Sequence, residues 1–101
     1  MTDEGTEQAR ARKVILCVSD GVGDRLEPQV AQWIRDHIAW VAVVGFECDV
    51  VEARIDELVV RADRSRFIMT TAHPNETLEE VTDFMLALVG DYEGDVAIVV
   101  L

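Results

Sequence analysis

Five residues of this 101-residue chain have types that do chemistry and stand where short apolar runs give way: Asp20, Cys48, Asp49, Thr71 and His73. Three kinds of site can be drawn from them. The first is a nucleotide site. Gly21-Val22-Gly23 follows an apolar run, as a phosphate-cradling loop does, and Glu47 stands near the place of a ribose-binding acid. With Asp20 and Thr71, the residues Gly21, Gly23 and Glu47 complete the candidate ligand set. The second is a divalent metal held by Asp20, Asp49 and His73, two hard oxygen donors and an imidazole. The third is nucleophilic catalysis, with Cys48 as thiolate, His73 as base and Asp20 orienting the imidazole.

Each constellation has a plainer structural reading. The third glycine of a dinucleotide fingerprint is replaced by Leu26, and the only lysine, Lys13, is misplaced for a phosphate loop. Asp20 and Asp24 would repel a phosphate. The glycines then make a turn, and Asp24 caps a helix. Asp49 caps another helix, the three metal candidates share no local spacing, and Glu47 and Asp49 oppose thiolate formation at Cys48. No cofactor is therefore predicted, a divalent metal being the one to consider. His73 equally suits a structural role in the Thr71–Asn75 turn. His37 is expected as a core histidine, and Trp33 and Trp40 as core or dimer-interface aromatics.

These residues need elements to position them. Val14–Ser19, Trp40–Phe46, Phe67–Ala72 and Val96–Leu101 are nearly unbroken apolar runs, the mark of strands buried on both faces. Helical periodicity fills the intervals. The first helix presents Leu26, Val30, Trp33, Ile34, His37 and Val41; the second, Val51, Ile55, Leu58 and Ala62; the third, Leu78, Val81, Met85 and Leu88. Thr77 and Glu80 spell a capping box for the third, and Gly90 is its expected stop. The order β-α-β-α-β-α-β predicts one small three-layer α/β/α domain over residues 12–101, flavodoxin-like or Rossmann-like, with a four-stranded parallel sheet. Residues 1–11 are expected to be a disordered acidic tail. Strand order 2-1-3-4 is favoured, with 3-2-1-4 as the alternative. In the favoured order the first helix alone covers one face. Part of that face and the last strand would then be exposed and apolar, which points to a homodimer, a protein partner or a fragment of a longer fold.

The stretch Phe67–Phe84, FIMTTAHPNETLEEVTDF, resembles a pattern in an uncharacterised family of small bacterial α/β proteins, in which a strand ending Thr-Thr-x-His runs into a capped acidic helix. Trp40–Asp49 is similar to the strand and turn upstream in such proteins. The resemblance implies the fold and a bacterial, cytoplasmic origin, and no activity. Composition excludes more than it assigns. A net charge of −11, from 20 acids against nine bases, is wrong for nucleic acid and for anionic lipid. No run of about 18 apolar residues exists to span a bilayer. A phosphoacceptor receiver domain is excluded by the missing aspartate after the third strand and by the missing lysine. The expectation is a small acidic, non-catalytic interaction or accessory protein, with a basic protein as the partner its charge would suit. The alternative is a small enzyme or a metal- or nucleotide-binding domain using Asp20, Asp49 and His73.

Overall fold

The computed structural model describes residues 12–101; the acidic tail expected over residues 1–11 lies outside them. The chain runs β1 (Lys13–Val18), α1 (Leu26–Arg35), β2 (Trp40–Gly45), α2 (Cys48–Ala62), β3 (Met69–His73), α3 (Leu78–Leu86) and β4 (Val96–Val100), with short 3-10 turns at Gly23–Arg25 and Gly90–Tyr92. The four strands form one parallel sheet, as their apolar character predicts. The strand order is β3-β2-β1-β4. This is the alternative order; the favoured 2-1-3-4 is not the one that forms. The reason lies in side-chain polarity. A central strand is covered on both faces, and β1 and β2 are the strands buried almost throughout. Thr70, Thr71 and His73 keep their polar atoms supplied with partners at an edge, where all five residues of β3 are only half-buried.

Right-handed crossovers then decide which helix covers which face. From β1 to β2 and from β2 to β3 the chain moves the same way, so α1 and α2 share a face. The return to β4 puts α3 on the other. Val14, Leu16, Val18, Val41 and Val43 pack under Leu26, Val30 and Trp33 of α1 and Val51, Ile55, Leu58 and Val59 of α2. Ile15, Trp40, Ala42 and Val44 pack under Val81 and Met85 of α3. One face is thus left to a single helix, as expected, but that helix is α3 rather than α1.

The helix ends correct several assignments. The Thr77–Glu80 capping box forms: Thr77 Oγ1 accepts from the Glu80 N–H at 3.1 Å, and Glu80 Oε1 from the Thr77 N–H at 2.8 Å. Asp24 caps nothing. It lies within the 3-10 turn, and α1 begins after Arg25, with no side-chain cap. Arg25 instead ties down the loop, donating to the Gly21 carbonyl at 2.6 Å. Asp49 is one residue inside α2, where its carboxylate accepts from the Val50 N–H at 3.0 Å; Glu47 holds the N-cap position. His37 falls after the end of α1, exposed and with φ of 59°, so it is no core histidine. Ala62 and Leu78 are exposed. Helix α3 stops at Leu86, ahead of Gly90, which opens the following 3-10 turn.

Two features that hold the sheet together escape sequence reading. Lys13 is fully buried, and its Nζ donates to the Met85 carbonyl at 2.6 Å. A cation thus meets the carbonyl end of α3, where the helix dipole favours positive charge. Burial pushes the ammonium's pKa below its ordinary 10.5, and the charges of Glu93 and Asp95 push it partly back. The second is Gly45, whose φ is 103°. A Cβ there would overlap the backbone carbonyl of Val18, so β1 and β2 can close at this end only around a glycine.

Gly45→Ala is expected to lower stability by about 2 kcal/mol or more in urea unfolding, since backbone strain and overlap add; an unchanged midpoint would contradict the close approach. Lys13 titrates with a folded pKa below its unfolded one, so its term adds stability as pH rises toward 10.5 and withdraws it as pH falls through the folded value. Lys13→Met should lack that rise. Wild type is expected to gain on the variant as pH rises toward 10.5, whereas parallel curves would contradict it.

Candidate functional site

The carboxyl ends of the strands form one rim of the sheet, the position where parallel α/β domains hold ligands. After β1 come Asp20, Gly21 and Gly23; after β2, Glu47, Cys48 and Asp49; and β3 ends on His73 itself. All the candidates share this rim, but the two faces of the sheet divide them. Cys48 is 1% exposed and packs in the core beneath α1 and α2. Thr71 and His73 lie in register with Ala42 and Val44, on the face of α3. The Cys48–His73 pair is therefore not assembled, because the sheet stands between them. Nor does Asp20 orient the imidazole: its carboxylate is exposed and accepts from the Gly21 N–H at 2.6 Å. Among the described residues no three His, Cys, Asp or Glu side chains are grouped to hold a metal ion, so Asp20, Asp49 and His73 do not converge. Gly21 and Gly23 have open space where a Cβ would stand; only the φ of 53° at Gly23 calls for glycine. Glu47 is exposed and left-handed, with φ of 50°, a conformation that favours Gly or Asn.

What the rim does assemble is a hydrogen-bonded chain on the α3 side. Trp40 Nε1 donates to Thr71 Oγ1 at 3.1 Å; Thr71 Oγ1 lies 2.8 Å from His73 Nε2; His73 Nδ1 lies 2.7 Å from Glu76 Oε1. An indole N–H can only donate and a carboxylate can only accept, so Thr71 Oγ1 accepts from Trp40 and His73 Nδ1–H donates to Glu76; Nε2 of the neutral ring then accepts the Thr71 hydroxyl hydrogen. The network fixes one tautomer from end to end. The His73 side chain is 13% exposed and tilts against Phe84, with ring centroids 6.1 Å apart. Phe84 and Tyr92 also meet Trp40 edge-on, at 5.9 and 5.0 Å.

Hydroxyl, imidazole and carboxylate here have the connectivity that activates a hydroxyl by proton removal. The indole N–H on the same oxygen draws on the lone pairs an attack would use, and the bond also supplies the one partner that a buried indole needs. Glu76 and Trp40 were absent from the sequence candidates. The signal for Glu76 was its place three residues after His73, across the turn that Pro74 makes.

The same face carries a second feature. Phe84 faces β2 and β3, so by helical spacing Leu78 and Leu86 lie on the opposite flank of α3, toward β4. Leu86 is 57% exposed. On β4, Ile98 is 49% and Val100 69% exposed, both on the α3 face by their register with Ile15 and Cys17. Helix α3 covers the centre of the sheet and leaves this corner open. Cys17 borders it as a free thiol, its pKa pushed up by burial, which disfavours a reactive thiolate.

The model of a family described as a domain of unknown function (DUF7684) matches residues 2–101. No curated protein matches the chain, and no solved structure does. Among the described residues no helix is long and apolar enough to cross a membrane.

Thr71→Val removes both roles of the hydroxyl and leaves the Trp40 N–H unpaired, so it is expected to cost about 1–3 kcal/mol. Nitrogen NMR of His73 should show hydrogen on Nδ1 in wild type. Hydrogen on Nε2, with an unchanged stability for the variant, would contradict the network.

Proposed function

The chain belongs to the DUF7684 family of unknown function, and on that premise we propose that it is a non-catalytic interaction protein that docks a protein on the α3 side of its sheet. The observation that supports this reading is the open corner: Ile98, Val100 and Leu86 are 49%, 69% and 57% exposed on the α3 side of the sheet, at the β4 edge. Grouped exposed apolar side chains at an unpaired edge are a feature of docking surfaces. The acids around it, Asp83, Glu93 and Asp95 among them, keep the rest of the surface in water. The resemblance of Phe67–Phe84 to small bacterial proteins adds a bacterial, cytoplasmic setting to the proposal.

A second reading is favoured by the Thr71–His73–Glu76 chain: a small enzyme or ligand-binding domain with His73 as the acid–base group. Glu76 then takes the orienting role first considered for Asp20, and a metal or nucleotide would enter from the rim that carries Asp20 and Asp49.

Capture from extracts of the source cells, with wild type and Leu86→Lys compared at low salt, separates the two. The docking reading expects a defined partner on wild type, absent from Leu86→Lys and retained by His73→Ala. A partner lost with His73→Ala but kept by Leu86→Lys would contradict it in favour of the rim.

A further inference from the structure

Resting on the docking reading, we infer that the occupant of the β4 edge is a second copy of this chain, paired antiparallel through β4 about a two-fold axis at Ile98. The direction of the backbone carries the inference. Leu101 N–H donates to the Cys17 carbonyl at 3.0 Å, so the peptide groups of Leu101, Val99 and Ala97 point toward β1. Alternation along a strand then turns the N–H and C=O of Val96, Ile98 and Val100 outward, with no strand beyond them among the described residues.

A two-fold at Ile98 sets Ile98 against Ile98 of the second copy, and Val96 against its Val100 in both directions. Each of these three pairs has both members facing outward, so each exchanges two N–H···O=C bonds. Centring the axis on Ala97 or Val99 leaves one of the outward residues without an opposite number. Side chains agree with the backbone. Val-Ala-Ile-Val-Val reads nearly the same in both directions about Ile98. On the α3 face the register makes only β-branched pairs, Ile98–Ile98 and Val96–Val100, a favourable cross-strand combination. On the other face it sets Ala97 against Val99.

Charge selects the same contact. A chain of net charge −11 repels its own copy over most of its surface. Strand β4 carries no charged residue, no proline and no bulge, the devices by which natural edges avoid pairing. A pair so made has one continuous eight-stranded sheet. The two α3 helices lie on its same face, flanking the Ile98 and Val100 side chains of both copies.

The experiment is sedimentation velocity with amide hydrogen exchange on the whole chain at tens of micromolar. The expected mass is twice the chain's 11.3 kDa. The amides of Val96, Ile98 and Val100 should be protected like those of Ala97 and Val99, and should lose that protection on dilution. Raising salt should tighten the pair, because it screens like charges. Ile98→Lys, which sets two cations face to face at the axis, should sediment at the single-chain mass; if it fails to fold, Ile98→Pro removes one outward N–H and leaves the β1 ladder intact. A single-chain mass with the three outward amides unprotected would overturn the inference while leaving the face open to another protein. A double mass with those amides unprotected, or one that survives Ile98→Lys, would overturn it by placing the contact elsewhere. Loss of the open face itself, with Ile98 protected in a single chain at every concentration, would instead defeat the docking reading beneath it.

Discussion

A parallel sheet in the middle of a domain has two apolar faces, and crossover helices are the means of covering them. Among the described residues three helices serve four strands, and handedness divides them two to one. Trp33, Ile55 and their neighbours close the α1–α2 side, with Ala97, Val99 and Leu101 half-buried at its β4 margin. On the other side Val81 and Met85 reach only the centre. Most of what is distinctive in the molecule follows from that imbalance. The lone helix must be held firmly, and what it does not reach stays open.

Helix α3 is anchored at both ends and along one flank. Its amino end is closed by the reciprocal Thr77–Glu80 bonds. Its carboxyl end receives the Lys13 ammonium from the sheet face it covers. Its β3 flank lies on Trp40 and His73 through Phe84. The chain from Trp40 to Glu76 belongs to the same arrangement, since it satisfies an indole under the helix and ties the end of β3 to the turn leading into it. The opposite flank has no such support, and there the apolar side chains of β4 are exposed. Structural anchoring and docking surface are thus the two sides of one helix.

The legible parts of the sequence were those that depend on local pattern. Val14–Ser19 and Trp40–Phe46 read as buried strands because they are nearly unbroken apolar runs, and Thr77–Glu80 reads as a capping box because its spacing is the mechanism. Strand order was less legible. Every run looked equally apolar by length, and the weight belonged on Thr70, Thr71 and His73, polar side chains that suit an edge. Asp24 and Asp49 have the type favoured at helix caps, yet type alone does not set position: one falls in a 3-10 turn and the other inside the helix. At the site, the rim was legible and the pairing was not. Cys48 opens α2 just after β2 and His73 ends the neighbouring β3, yet they lie on opposite sides of the sheet, which the sequence order of the two residues does not reveal. Lys13 was invisible because its burial depends on a carbonyl 72 residues away in the chain.

The claim on which the rest turns is that α3 leaves the β4 corner uncovered within a single chain. Methyl NMR with a water-soluble paramagnetic agent reads this directly, on a sample dilute enough for the single chain to prevail. The Ile98 and Val100 methyls are expected to broaden strongly, with those of Ile15 and Val43 untouched. An Ile98 methyl as protected as that of Ile15 under dilution would contradict it.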